Sequence, residues 1–223
     1  MGRAMTDNPR AALVQAARQS VDMGLNAGTV GNFSLRHGAG MLITPTGIAP
    51  ANMTPDQIVE LELDGRWQGD WRPSSEWAIH ARIYQTTAAG AVVHCHPDHS
   101  VALSALHRDI PPFHYMVAGF GGNVIPCARY ACFGSTDLAD AVVLALGQTY
   151  SACLMASHGA VTLGPDLPTA LSRAQKLETL ARQYLLAQMA GEPVLLTPVE
   201  LAEVHARYAT YGQQAKTTGL PKP

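Results

Sequence analysis

Ala91-Val92-Val93-His94-Cys95-His96 is a short apolar run of β-branched character that Pro97 closes. A run of this kind, bounded by a breaker, predicts a buried strand. Side chains alternate across a strand, so His94 and His96 project to one face while Cys95 points to the other. Two imidazoles side by side are what a metal needs from neighbouring ligands. His158 is the candidate third, at the end of a second predicted strand over 151–156 and just before Gly159. Three neutral imidazoles with an open coordination position describe a catalytic zinc site. An isolated His-x-His is common by chance, so the pair needs support from elsewhere in the chain. His37, His107 and His205 read as surface or loop residues, and His99, two beyond Pro97, as a cap or a solvent-facing side chain.

Upstream of this strand a helix is predicted from just after Ser75 to about 89, with Trp77, Ile83 and Tyr84 on its apolar side and Gly90 ending it. Asn8 and Pro9 open a first helix that Gly24 stops. Between the two helices, a Gly-rich stretch holds short strands around 33–35 and 41–43. Downstream, a short helix passes through Val101 and Leu106, and another covers 137–146. The longest runs over 166–190, with Leu171, Ala174, Leu177, Ala181, Tyr184 and Leu185 near one face. Thr197-Pro198-Val199-Glu200 is a capping box that opens a short terminal helix. Helices interleaved with short strands predict an α/β fold: one domain over 1–223, a sheet covered on both faces, and a polar tail after Tyr211. Strand order does not follow from these signals.

With 223 residues and 47% hydrophobic content the chain can bury one well-packed core. Charged residues make up only 14% and the formal net charge is −2, with no basic face or acidic tail. Nucleic acid and membrane surfaces are therefore poor candidates as partners. The apolar stretches are broken well before the ~18 residues of a membrane span, and the first ten residues lack the apolar segment of a secretory signal. Cys95, Cys127, Cys132 and Cys153 form no Cys-x-x-Cys pair; they read as reduced, buried thiols of a cytoplasmic protein.

Glu76 follows Pro73-Ser74-Ser75 at the predicted helix start. A glutamate in a first turn favours the helix dipole. The same N-terminus, with two hydroxyls, also offers an anion site, and a carboxylate near a metal can transfer protons. Both readings stand at this level. Thr29-Val30-Gly31-Asn32 and Thr44-Pro45-Thr46-Gly47 combine glycine with short polar side chains, which suits a nest of donors around a phosphate as well as an ordinary turn. No Gly-Lys-Ser/Thr occurs, so there is no Walker loop.

Seven stretches taken in order resemble the class II aldolase/adducin family: GLNAGTVGNFSLR, GMLITPTGI, PSSEW followed by His80, AVVHCHPDH, IPPFHYM, GGNVIPCARYACFG and SHG. The likeness runs from about Leu13 to Tyr211. It implies a three-layer α/β/α sandwich around a mixed, largely antiparallel sheet. It also implies one Zn2+ per subunit on His94, His96 and His158, with Glu76 as fourth ligand or catalytic acid/base. Thr29, Asn32, Thr46, Gly47, Ser74 and Ser75 are then the phosphate cradle. The implied assembly is a C4 homotetramer with its sites between subunits, where Tyr115 and Tyr211 reach in from a neighbouring chain as catalytic groups. The implied reaction is reversible cleavage of a ketose 1-phosphate, L-fuculose 1-phosphate or similar, to dihydroxyacetone phosphate and a short aldehyde through a metal-stabilised enediolate. A Schiff-base route does not fit, since the only internal lysine is Lys176, on the long helix.

The same scaffold serves other ends. Ribulose-phosphate 4-epimerases resemble the chain at the zinc ligands but carry an Asp soon after the His of the HYM region, where this chain has Met116, Ala118 and Gly119. A methylthioribulose-1-phosphate aldolase or dehydratase shares the zinc and phosphate parts. Adducin-like relatives keep the fold as binding modules without catalysis, and the presence together of three histidines and Glu76 argues against that reading.

Overall fold

A computed structural model gives the fold for residues 8–211; the polar tail expected after Tyr211 lies outside the described residues. The opening run becomes β4, Ala91–Cys95, with all its residues buried. Alternation along it sets the layers. Ala91, Val93 and Cys95 pack with Leu13, Phe33 and Leu171 on one side, while Val92 packs with Ile79, Ile83 and Val161 on the other.

The sheet has seven strands among the described residues: β1 Asn32–His37, β2 Gly40–Ile43, β3 Val59–Leu61, β4, β5 Cys127–Ala128, β6 Ala152–Met155 and β7 Gly159–Gly164. Their order is β3-β2-β1-β4-β7-β6-β5. Every pairing is antiparallel except β5 with β6, so the sheet is mixed and largely antiparallel. Helices α1 (Pro9–Asp22) and α5 (Leu167–Ala190) cover one face, joined by α3 (Asp98–Ser104), and α2 (Trp77–Thr86) and α4 (Thr136–Leu146) cover the other. The last helix, α6 (Pro198–Tyr208), packs against a 3-10 turn over Tyr115–Phe120.

Side-chain caps start the helices where the sequence places them. Asn8 accepts from the N–H of Arg10 and Ala11, Ser135 from Leu138, Asp166 from Thr169, and Thr197 from Glu200 in the expected capping box. Two details differ. Helix α2 starts at Trp77, so Glu76 precedes it rather than lying in its first turn, and Thr87, already extended, ends it short of 89. His99 is not simply solvent-facing: its ring and backbone N–H both meet the Glu178 carboxylate, at 2.6 and 3.0 Å, which fastens α3 to α5.

Candidate active site

Residues far apart in sequence meet at the end of β4. His94 lies on the face of β4 that α2 and α4 cover, His96 stands one residue beyond the strand, and His158 lies in the turn between β6 and β7. Glu76 comes from the opposite direction, at the residue before α2. One ligand-capable atom from each of the four lies within 4.8 Å of the others. His94 Nε2 is 2.8 Å from His96 Nε2 and 3.0 Å from Glu76 Oε2, and His158 Nε2 is 3.1 Å from Glu76 Oε1.

The tautomers say what this cluster can hold. His94 Nδ1 faces the carbonyl oxygen of Ala160 at 2.9 Å, and a carbonyl only accepts, so Nδ1 carries the proton. His94 Nε2 in the neutral ring is then a lone pair, pointed at another imidazole nitrogen and at a carboxylate. Glu76 Oε1 is buried with no hydrogen-bond partner. Converging lone pairs repel one another unless a cation sits between them. Nitrogen and carboxylate donors of this number suit a divalent metal, and ligands at ~2.0–2.1 Å around a tetrahedral centre stand about 3.3 Å apart, close to the spacings seen. Electrostatics agree. Burial pushes the His96 imidazole down to about 3, His94 and His158 lower it further, and Glu76 opposes them. Burial alone would push the Glu76 carboxyl up; with no metal between them, it is a proton shared from the His158 and His94 rings that would outweigh burial and hold it below the usual carboxylate range, the place a cation would take. His96 is therefore neutral and Glu76 ionised at neutral pH, the states that bind metals.

The cluster borders a cavity of about 560 Å³. Thr29, Asn32, Thr46, Gly47, Ser74 and Ser75, the six expected phosphate residues, all line it together with Glu76, His96 and His158. Two loops are tied to make this rim: Thr46 N–H donates to Arg72 O at 3.1 Å and Ser74 N–H to Thr44 O at 3.0 Å. Gly31 and Gly47 have φ of +79° and +71°, conformations that side chains rarely adopt. Among the described residues lining the cavity there is no lysine or arginine. An anion there meets hydroxyls, amides and backbone N–H groups.

Tyr115 and Tyr211 lie elsewhere. They share a second cavity, of about 840 Å³, with Tyr208, Arg173 and Arg207, and neither lines the cavity beside the histidines. Within one chain the structure brings ten of the expected site residues together and leaves the two tyrosines apart, largely exposed at 53% and 81%.

Sequence reasoning missed several supporting groups. Asn26, buried, accepts from the His96 backbone N–H at 3.0 Å and so holds that residue's main chain. Ser157 lines the cavity with φ +51° and pairs with His107, which thus has a specific partner at 2.6 Å. His80, Ser34 and Tyr84 form a buried polar chain behind Asn32. The available signal was spacing: Glu76, His80 and Tyr84 recur every four residues, which stacks them along one side of a helix.

The sheet thus brings three imidazoles and a carboxylate, a group that could hold a metal ion, to one point beside a cavity rimmed by neutral hydroxyl, amide and backbone groups. The chain matches the family described as Class II Aldolase and Adducin N-terminal domain over residues 11–185. It belongs to that family, as a class II aldolase and hence an aldehyde-lyase. It is 42% identical over 215 residues to the 5-methylthioribulose-1-phosphate/5-deoxyribulose-1-phosphate aldolase of Rhodospirillum rubrum, covering 96% of each chain. It is 43% identical over 205 residues to the L-fuculose phosphate aldolase of Escherichia coli K12, covering 88% of this chain and 95% of that one. Among solved structures, an L-fuculose 1-phosphate aldolase superposes with a TM-score of 0.86 at 31% identity, covering 92% of this chain and 98% of the other.

Proposed function

We propose that this chain, a single-domain cytoplasmic subunit, cleaves a ketose 1-phosphate between C3 and C4, releasing dihydroxyacetone phosphate and a short aldehyde. The reading includes one Zn2+ per subunit on His94, His96, His158 and Glu76. The observation that carries it is the meeting of those four side chains at the edge of the cavity that holds all six neutral phosphate-binding candidates. Free thiols at all four cysteines, though Cys132 is exposed and Cys127 half-buried rather than buried as expected, fit a reducing compartment, and no helix among the described residues is long and apolar enough to cross a membrane.

The ion, when bound, supplies Lewis acidity toward the oxygens next to the breaking bond. The remaining work falls to the chain. Thr29, Asn32, Thr46, Gly47, Ser74 and Ser75 hold the phosphate, and binding energy spent far from the reacting carbon fixes that carbon in place. Glu76, ionised and buried among the imidazoles, carries the proton at C3. Tyr115 and Tyr211 act on the oxygen of the aldehyde fragment from a neighbouring subunit of a homotetramer. Their exposure and their distance from the cavity of their own chain support this reading.

L-fuculose 1-phosphate is the substrate we favour. A second reading, 5-methylthioribulose 1-phosphate or 5-deoxyribulose 1-phosphate, is supported by the Rhodospirillum rubrum relative, which matches this chain over nearly its full length. Both share the dihydroxyacetone phosphate end and differ in the aldehyde; Tyr130 and Phe133, both exposed, line the same cavity. Measuring kcat/KM for the two substrates with the zinc-loaded protein separates them. A ratio of at least ~10 in favour of L-fuculose 1-phosphate is expected, since even one extra or missing methylene in an apolar pocket is worth about 10- to 200-fold. The opposite ratio selects the second reading.

A further inference from the structure

Behind the metal cluster, five buried side chains from two elements interlock. Glu76, His80 and Tyr84 stand at intervals of four along α2 and its leading residue, and Asn32 and Ser34 at an interval of two on β1. Four helical residues rise about 6 Å and two strand residues about 6.7 Å, so the two ladders stay in step. The contacts alternate between them. Tyr84 OH is 2.8 Å from Ser34 Oγ, Ser34 Oγ is 2.7 Å from His80 Nδ1, and His80 Nε2 is 2.5 Å from Asn32 Oδ1. Asn32 Nδ2 then donates to Glu76 Oε2 at 3.1 Å. Ser34 and His80 are wholly buried, and Tyr84, Asn32 and Glu76 are nearly so.

The chemistry allows this chain only one polarity. Glu76 is a carboxylate and accepts, so the Asn32 amide must turn its NH2 toward it. That leaves Asn32 Oδ1 facing His80, which must donate from Nε2. A neutral imidazole that donates from Nε2 accepts at Nδ1, so Ser34 donates there, and its oxygen accepts from Tyr84. The fully buried ring is held neutral, as the scheme requires. Reversing any one link would set two acceptors or two donors face to face among buried groups.

We propose that His80 is a positioning residue: with Ser34 and Tyr84 behind it, it locks the orientation of the Asn32 amide and thereby aims the Glu76 carboxylate at the metal cluster. The proposal rests on the reading of Glu76 as ligand and proton carrier. It extends that reading to groups that touch neither substrate nor metal.

Two measurements test it on the full-length protein. Nitrogen-15 NMR of the histidines, with His80 assigned by its loss in His80→Gln, is expected to show His80 protonated at Nε2 and bare at Nδ1. The Nδ1-protonated form would overturn the proposal, whatever reaction the protein catalyses. Zn2+ affinity by chelator competition is expected to fall about 10- to 100-fold in His80→Leu, the usual effect of removing a group behind a ligand. Ser34→Ala should show a smaller loss. His80→Gln, whose amide can donate to Asn32 and accept from Ser34, should stay within about threefold of wild type. A group that only fills the core would lower the melting temperature without moving Zn2+ affinity or kcat, and that result in Ser34→Ala and His80→Leu would overturn the proposal. If His80→Leu fails to fold, Ser34→Ala decides. The expected tautomer and affinities in a protein that cleaves no ketose phosphate would support the chain and count only against the proposed substrate.

Discussion

A Cβ placed on Gly159 would stand 2.6 Å from Cys95 O, 3.1 Å from His96 Cδ2 and 3.4 Å from His94 Cε1. Backbone cannot yield at the first of these contacts, and the ligand rings would have to move for the others. Gly159→Ala is therefore expected to fold but to bind well under one metal per chain, read by elemental analysis of the purified protein. Full occupancy would show that the rings have slack the structure denies them. At this scale the sequence was most legible where chemistry is local. His94-Cys95-His96 carries its meaning in a two-residue spacing, and the small size of Gly159 is what lets His94 and His96 meet His158. His80 was visible only as a neighbour of PSSEW, because the partners that give it a role, Asn32 and Ser34, come from a strand more than forty residues away.

The turn between β6 and β7 is the element that delivers His158. Met155 pairs with Gly159 across it, His158 N–H donates to Met155 O at 3.0 Å, and Ser157 holds φ at +51°. A left-handed residue in a tight turn is tolerable for serine and strained for a β-branched side chain. Ser157→Val should cost about 1–3 kcal/mol in urea unfolding and reduce metal binding, while Ser157→Gly stays within about 1 kcal/mol of wild type. A neutral valine variant would remove the turn from the list of parts that aim His158. The elements were legible in proportion to their length. The four-turn and longer helices carried period and caps, whereas β3 and β5, of three and two residues, are too short for any alternation to register. β7 was missed for another reason: Gly159–Gly164 is buried on both faces and reads as a continuous run, which the Gly at each end masks as loop.

Over the whole molecule, the two tyrosines expected at the site sit together beside Tyr208, in a cavity apart from the histidines. If each completes the site of an adjacent subunit, two defective chains can repair one another. Glu76→Gln would remove the proposed proton carrier and Tyr115→Phe the hydroxyl proposed to come from the neighbour. In a randomly mixed cyclic tetramer about a quarter of the sites would receive one intact group from each chain. Co-expression of the two variants should thus give activity well above the mean of the parents, and activity equal to that mean would place Tyr115 outside a shared site. Nothing in one chain's sequence distinguishes a residue that serves its own cavity from one that serves a neighbour's. The resemblance supplied that expectation, and the tyrosines of one chain line a cavity apart from its histidines.

His94, His96, His158 and Glu76 are proposed to act as a metal centre for carbon–carbon bond cleavage. The most direct test is release of dihydroxyacetone phosphate from L-fuculose 1-phosphate by the purified protein, before and after a metal chelator and again after Zn2+ is restored. Release that the chelator abolishes and Zn2+ restores is the predicted result. Release that persists in metal-free protein would contradict it.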